Sequence, residues 1–133
     1  MKRLAVIDLG TNTFNLLIFE KGADGFRVLR SEKSAVGLGL GGINANTITP
    51  LAANRAQQAL GIFKEKCDQF NVSEIFAFGT SALRGATNAK DLIREAYEKW
   101  GIVIQVISGE EEADLIFEGV RSVYSFERPA CIM

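Results

Sequence analysis

The sequence of 133 residues contains no histidine. This absence excludes Ser–His–Asp and Cys–His catalysis, zinc sites with imidazole ligands, and proton transfer by a histidine side chain. Acid–base chemistry in this protein must therefore come from carboxylates. Any bound metal is expected to be a hard cation that is held by oxygen atoms.

Cysteine is scarce. The two cysteines, Cys67 and Cys131, lack the close spacing of metal-binding pairs, and each has apolar neighbours in the sequence. This pattern favours reduced thiols in the core of a cytoplasmic protein over a disulfide.

Charge of one sign and long apolar runs are also lacking. The 15 basic and 16 acidic residues are interspersed and leave a net charge of −1, without the basic stripe that nucleic-acid binding requires. No apolar stretch reaches the length of a transmembrane helix, and the N-terminal apolar run meets Asp8 too early for a signal peptide. We therefore expect a cytoplasmic protein with no nucleic-acid or membrane partner.

What is present is enough apolar sequence for one domain with a core, since 47% of the residues are hydrophobic. The apolar patterns predict five strands, at residues 3–9, 14–20, 26–32, 74–78 and 102–107. The first three strands follow one another through short turns, so we expect them to pair antiparallel.

Helices are predicted between the later strands. Thr49 and Pro50 signal the start of one helix, which is expected to end near residue 71. A second helix is expected to end at Gly101 and to turn inward Leu92, Ile93, Ala96, Tyr97 and Trp100. A last helix is expected from Ser108. The order βββαβαβα predicts an α/β domain in which helices flank one mixed five-stranded sheet.

A polar turn joins the first two predicted strands. Gly10 allows a turn where a Cβ would clash, and Asn12 is a residue type that tolerates left-handed geometry. The hydroxyls of Thr11 and Thr13 lie in the same turn, beside Asp8 at the strand end. Two interpretations stand here, an ordinary hairpin or a phosphate cradle with a carboxylate that anchors a metal.

Two further polar clusters follow predicted strand ends, at residues 79–84 and 108–112. Ligands of open α/β sheets bind outside the carboxyl ends of strands, so the shared position of the clusters favours a site. Arg84 either binds a pair of phosphate oxygens or lies on the surface of a short capped helix. Glu111 either completes a Ser-x-x-Glu capping box or activates a water molecule toward a metal-bound phosphate.

A glycine-rich segment follows the third strand, at residues 37–42. Its glycine spacing fits neither the dinucleotide fingerprint nor a P-loop, which would end in Gly-Lys-Ser/Thr. A loop that allows close approach of the backbone is the first interpretation, and ligand binding by the same loop stays open.

Taken together, four stretches resemble the exopolyphosphatase / guanosine pentaphosphate phosphohydrolase family. They are residues 7–13, similar to the family's first phosphate-binding hairpin; 36–39, similar to its glycine-rich segment; 79–84 with Asn88, similar to its Thr-Ser-Ala-Leu-Arg motif; and 106–113, similar to its Gly-x-Glu-Glu-Ala motif. Each motif is weak alone, but four in the right order and spacing are specific.

The resemblance implies a fold and a domain organisation. The family shares a duplicated ribonuclease H-like domain with actin and the sugar kinases. Residues 1–133 are therefore expected to form one N-terminal actin-like, ribonuclease H-like lobe, with a second lobe absent from this chain. The substrate cleft of the family lies between two lobes, so this chain is expected to carry half of a site.

The resemblance also implies hydrolysis of a terminal phosphoanhydride, in inorganic polyphosphate or guanosine pentaphosphate, with Mg²⁺. Asp8 would hold the metal, directly or through water. Arg84 would contact a substrate phosphate, and Glu111 would orient or deprotonate the attacking water, with Glu112 as the second candidate. The phosphate cradle would be formed by Gly10, Thr11, Asn12 and Thr13.

The sequence departs from the family pattern at Asn15, where many members carry a basic residue. A non-catalytic module that binds phosphate or the alarmone remains the alternative function, whereas the four motifs disfavour a kinase or an actin-like protein. Because the face toward the second lobe should be apolar, we also expect homo-oligomers of this chain.

Overall fold

The computed structural model of the chain describes residues 2–23, 25–38, 47–79, 83 and 85–107. These residues form, in chain order, β1 (Lys2–Leu9), β2 (Thr13–Gly22), β3 (Gly25–Ala35), α1 (Pro50–Gln69), β4 (Glu74–Gly79), α2 (Ala89–Trp100) and β5 (Ile104–Val106). The helix expected from Ser108 lies outside the described residues.

The five strands form one mixed sheet in the order β3-β2-β1-β4-β5. β2 pairs antiparallel with both β1 and β3, whereas β4 pairs parallel with both β1 and β5. This topology confirms the predicted sheet with three antiparallel strands first. The apolar β1 is the middle strand. One of its edges pairs antiparallel with β2 and the other pairs parallel with β4.

The core lies between one face of the sheet and both described helices. Ala5, Ile7 and Leu9 of β1 are fully buried in one cluster, which also contains the inner residues of α1 and α2. Alternate residues of a strand project to opposite faces. Val6 and Asp8 therefore project from the other face of β1, away from this core.

The ends of both helices follow the sequence signals. The Thr49 hydroxyl accepts a hydrogen bond from the Ala52 N–H at 3.1 Å, and Pro50 occupies the first helical position of α1. Gly101 ends α2 in the left-handed conformation, at φ 71°. The predicted start of α1 and the predicted end of α2 are thus confirmed. Such boundaries can be predicted from sequence because a cap depends on residues within one turn of it.

Tyr97 does not lie on the inner face of α2, and this prediction is wrong. Its side chain is 61% exposed, whereas Leu92 and Ala96 are buried. Gln57 of α1 contacts α2 at the Leu92 carbonyl and at the Trp100 indole N–H. With about 3.6 residues per turn, Tyr97 lies roughly 140° around the helix from Leu92, whereas Ala96 lies only about 40° away, so Tyr97 falls outside the buried face.

Cys67 is 1% exposed and forms no disulfide, as the sequence predicts, whereas Cys131 lies outside the described residues. Burial raises the pKa of the Cys67 thiol to about 11. Among the described residues, no helix is both long and apolar enough to cross a membrane.

Candidate functional site

Asp8 is the penultimate residue of β1, at the carboxyl end of the central strand. Its cross-strand partners are Asn15 on β2 and Phe78 on β4. The Oδ1 atom of Asp8 is buried, although the residue as a whole is partly exposed. The carboxylate is therefore held at a strand end, on the face of the sheet opposite the core.

A cation lies in the same row of the sheet. Lys33 on β3 is the partner of Asn15, which is itself the partner of Asp8. Residues that are direct cross-strand partners project to the same face of a sheet. The exposed Lys33 thus provides positive charge on the face that carries Asp8, where Asn15 contributes none.

The carboxyl ends of the three parallel strands meet at one edge. Leu9 at the end of β1 is in register with Gly79 of β4, and Gly79 is in register with Val106 of β5. The strands that precede all three predicted polar clusters therefore end side by side. Arg84 and the acidic residues Glu111 and Glu112 lie outside the described residues.

Gly10 is required in the turn by a close contact. Its N–H donates to the Thr13 carbonyl at 3.1 Å, and a Cβ on residue 10 would lie only 2.8 Å from that oxygen. Such a distance is below any ordinary contact of a Cβ with oxygen. Neither Gly10 nor Asn12 has a positive φ, so the expected left-handed geometry of Asn12 is not what forms the turn.

The stem of the glycine-rich segment binds the turn directly. The N–H groups of Val36 and Gly37 both donate to the Asn12 carbonyl oxygen, at 3.0 and 2.9 Å. Gly37 has φ 61°, a conformation that glycine adopts at little cost. The turn at residues 10–13 and this stem are consequently one structural unit, which sequence patterns had left as two separate motifs.

Arg55 of α1 holds the other side of the stem. Its Nε donates to the Val36 carbonyl at 2.6 Å and its Nη2 to the Gly37 carbonyl at 3.2 Å. Within the described part of the chain, no carboxylate lies within ion-pair distance of Arg55. Sequence reasoning missed this residue; its one signal is a basic residue near the start of a helix that has no acidic residue in its first turn.

Asn88 holds the segment that leads into α1, at Ile48. Its side-chain amide accepts from the Ile48 N–H and donates to the Ile48 carbonyl, both at 2.9 Å. The side chain makes no capping bond to α2. Asn88, which the sequence placed in a motif without a role, thus ties the start of α1 to the start of α2.

Among the residues that the structure describes, the carboxyl group whose pKa is lowered is that of Glu20, which lies far from this edge. Glu20 is 8% exposed and pairs with Arg3 at 3.1 Å and Arg27 at 2.9 Å. A hydrogen bond from Arg3, the partner of Glu20 at the opposite end of β1 from Asp8, is the largest cause that lowers the pKa of this carboxyl. We interpret this cluster as structural.

The described edge can bind an anion and can contribute to a cation site. Backbone amides and hydroxyls such as those of the partly exposed Thr11 and Thr13 are groups that can bind an anion, and a carboxylate such as Asp8 can supply an oxygen ligand to a cation. Within the described residues, no group of three His, Cys, Asp or Glu side chains could hold a metal. Mg²⁺ often binds through one or two carboxylates together with water and substrate phosphates, so Asp8 fits that type of site.

Comparisons with known proteins give one consistent result. A family model described as the Ppx/GppA phosphatase family matches residues 17–133. The crystal structure of an exopolyphosphatase from Cytophaga hutchinsonii is 45% identical with a TM-score of 0.85, and the match covers 91% of this chain and 39% of that one.

Two further solved structures agree with it. A structure described as an exopolyphosphatase-like protein is 30% identical with a TM-score of 0.83, over 95% of this chain and 38% of that one. A Ppx/GppA family member from Aquifex aeolicus, at 24% identity, shows the likeness of fold, with a TM-score of 0.84 over 90% of this chain and 39% of that one. The chain thus spans about two fifths of the length of the structures that it matches.

Proposed function

This chain belongs to the Ppx/GppA phosphatase family, and on that premise we propose that the full-length protein removes the terminal phosphate from inorganic polyphosphate or guanosine pentaphosphate. The observation that carries the proposal is the turn at residues 10–13, held next to Asp8 where the parallel strands end. An anion-binding turn beside a carboxylate suits a substrate that is a chain of phosphates with bound cations.

In this proposal the turn binds the substrate. The backbone of Gly10 and Asn12 and the hydroxyls of Thr11 and Thr13 orient the terminal phosphate, and Arg84 contacts a substrate phosphate. Asp8 would hold Mg²⁺, directly or through water. Bound Mg²⁺ would neutralise part of the charge that develops on the phosphate oxygens.

Glu111 is proposed as the group that accepts a proton from the attacking water. Phosphoryl transfer needs little covalent chemistry from the protein, because positioning and charge neutralisation supply most of the rate. A carboxylate that orients water and takes its proton is sufficient, and the lack of histidine in these 133 residues leaves carboxylates as the candidates within this chain. The second half of the site would come from a further lobe of the same protein.

The first experiment measures phosphate release from polyphosphate and from guanosine pentaphosphate, with Mg²⁺, by the full-length protein and by residues 1–133. We expect release by the full-length protein and little or none by the shorter chain. Saturable binding without turnover by the full-length protein would instead identify a non-catalytic binding module.

The second experiment tests the carboxylates. Glu111→Gln should lower kcat roughly 10²- to 10⁴-fold, the contribution of a general base, without unfolding the protein. Glu112→Gln tests the second candidate, and Glu98→Gln, an exposed carboxylate on α2, is the control. Wild-type turnover in Glu111→Gln would leave that residue with its capping role only.

A further inference from the structure

We propose that Arg55 is a positioning residue for the turn at residues 10–13, and that it acts through Val36 and Gly37 without contacting the substrate. The inference rests on the proposed function, because it assigns a residue to the same phosphate site. Arg55 belongs to none of the motifs by which the chain resembles its family.

The first step is the contact between helix and stem. The forked donors of Arg55 reach two successive carbonyls, those of Val36 and Gly37, at 2.6 and 3.2 Å. A guanidinium presents its N–H groups in a fixed planar arrangement, so two such bonds define the orientation of the stem as well as its distance from α1. Val36 is also anchored in the core, at 2% exposure.

The second step is the contact between stem and turn. The N–H groups of the same two residues converge on the Asn12 carbonyl, at 3.0 and 2.9 Å. The peptide group is planar and trans, so the Thr13 N–H points in the direction opposite to the Asn12 carbonyl. The hydrogen bonds from Val36 and Gly37 to that carbonyl therefore fix the direction of the Thr13 N–H. Because Arg55 orients Val36 and Gly37, it also constrains the direction of this turn amide.

The third step concerns charge. Carbonyl acceptors do not neutralise a guanidinium, and no carboxylate among the described residues pairs with Arg55. Promotion of phosphate binding by the net charge of Arg55 is therefore the alternative to positioning through the stem. If Arg55 acts through the stem, a change at Gly37 disturbs the same connection, and the KM of the double variant should not exceed that of the weaker-binding single variant. If Arg55 acts by charge, the two KM effects should multiply.

The experiment compares Arg55→Gln, Gly37→Ala and the double variant in the full-length protein. Alanine is strained at the φ of 61° that residue 37 adopts, so Gly37→Ala disturbs the same stem from its other side. We expect each single variant to raise KM for polyphosphate about tenfold, with kcat changed less than about threefold. The double variant should show about the same KM as the weaker-binding single variant, because both changes break one connection.

Lys64→Gln is the matched control, because it removes a cation from the same helix together with an exposed ion pair to Asp68. Its KM should equal that of the wild type. Multiplicative KM effects in the double variant would overturn the proposal and leave Arg55 with a role by charge alone. An unchanged KM in Arg55→Gln would overturn it as well.

A second measurement does not depend on turnover. Amide hydrogen exchange of Val36 and Gly37 should accelerate in Arg55→Gln, and calorimetry should show weaker binding of tripolyphosphate. If the wild type binds tripolyphosphate but hydrolyses nothing, the proposed function fails while these two results still decide the role of Arg55. Arg55→Lys keeps the charge but not the fork, so it should give an intermediate KM; a wild-type KM would count against positioning.

Discussion

At the scale of single residues, Gly10 shows how a turn can require glycine without a positive φ. The constraint is the Thr13 carbonyl, which occupies the space where a Cβ would project. The N–H to carbonyl bond that closes the turn involves the same two residues, so a larger side chain at position 10 must lengthen that bond.

Gly10→Ala should therefore lower the free energy of unfolding by about 1–3 kcal/mol, the usual cost of forcing an atom into occupied space. The control is Gly85→Ala, since nothing lies within 4 Å of a Cβ built at that exposed position. Its effect should stay within about 0.5 kcal/mol, or be slightly stabilising. Urea unfolding of both variants is the measurement, and equal stability of the two would contradict the contact argument.

Glu20 makes a prediction about pH. Its pKa is lowered from the ordinary value of 4.5, chiefly by the hydrogen bond from Arg3. A carboxyl whose pKa is lower in the folded state binds fewer protons there, so its stabilising effect is complete above the pKa of the unfolded chain. That effect is lost as the pH falls through the pKa of the folded state.

The stability difference between the wild type and Glu20→Gln should thus be largest near neutral pH and should shrink as the pH falls below the ordinary pKa of 4.5. Arg3→Gln removes the main cause of the shift, and its difference from the wild type should shrink over the same range. Denaturant unfolding at several pH values tests both. A difference that grows in acid would show that the sign of the shift is wrong.

At the scale of elements, the junction of α1 and α2 depends on the one tryptophan of the sequence. The Trp100 indole N–H donates to the Gln57 side chain at 2.9 Å, and its ring lies over Gly61. A Cβ at Gly61 would lie 2.7 Å from Trp100 Cη2. Glycine at position 61 therefore leaves room for the Trp100 ring, although alanine would favour helix formation by up to about 1 kcal/mol.

Gly61→Ala should destabilise the protein by about 1 kcal/mol despite that better propensity, because the Trp100 ring must move. In a Trp100→Leu background the same substitution should become neutral or stabilising, because leucine has no ring that would contact residue 61. Chemical unfolding measures the cycle, and tryptophan fluorescence reports the displaced ring in the single variant. A cost that persists without the ring would exclude this explanation.

Local sequence signals predicted the helices and strands. Features that depend on contacts between residues far apart in the sequence were not predicted. Thr49 and Pro50 placed the start of α1 correctly, because a cap is formed within one turn. β3 was expected to end at residue 32 but continues to Ala35, because the ladder with β2 extends a strand whose own residues are polar. Arg55 could not be recognised, since its acceptors lie 18 and 19 residues away in the sequence.

The candidate site was predictable to a similar extent. The turn at residues 10–13 and the shared edge of the strand ends follow from strand order and from the polar residues after each strand. The bond from the Gly37 N–H to the Asn12 carbonyl does not, because backbone groups leave no trace in side-chain patterns. The expected roles of Arg84 and Glu111 remain predictions.

At the scale of the whole molecule, the sheet face opposite the core exposes apolar side chains. Phe76 is 42% exposed and Val103 59%, and both line a cavity of about 120 Å³ on β4 and β5. Exposed apolar surface of this kind favours association. The earlier expectation of homo-oligomers therefore stays a prediction with a defined surface.

Residues 1–133 should self-associate, and Phe76→Ser should lower the apparent mass at a given concentration. Leu51→Ser is the control, because Leu51 is 73% exposed at the start of α1, away from this surface. Light scattering over a range of concentrations makes the comparison. A monomeric mass for the unmodified chain would remove the basis for an oligomer.

The parallel pairing of β1 with β4 also sets an order of events during synthesis. The Ser73 hydroxyl bonds the Arg3 carbonyl across 70 residues of sequence, and the ladder continues from Leu4 to Leu9. Ribosomes add about 5–20 residues per second, so the central strand waits roughly 4–14 s for its second partner after it is made. During that interval the nascent hairpin exposes one unpaired edge of its most apolar strand, which is when chaperones would bind it and when mispairing between neighbouring nascent chains would begin.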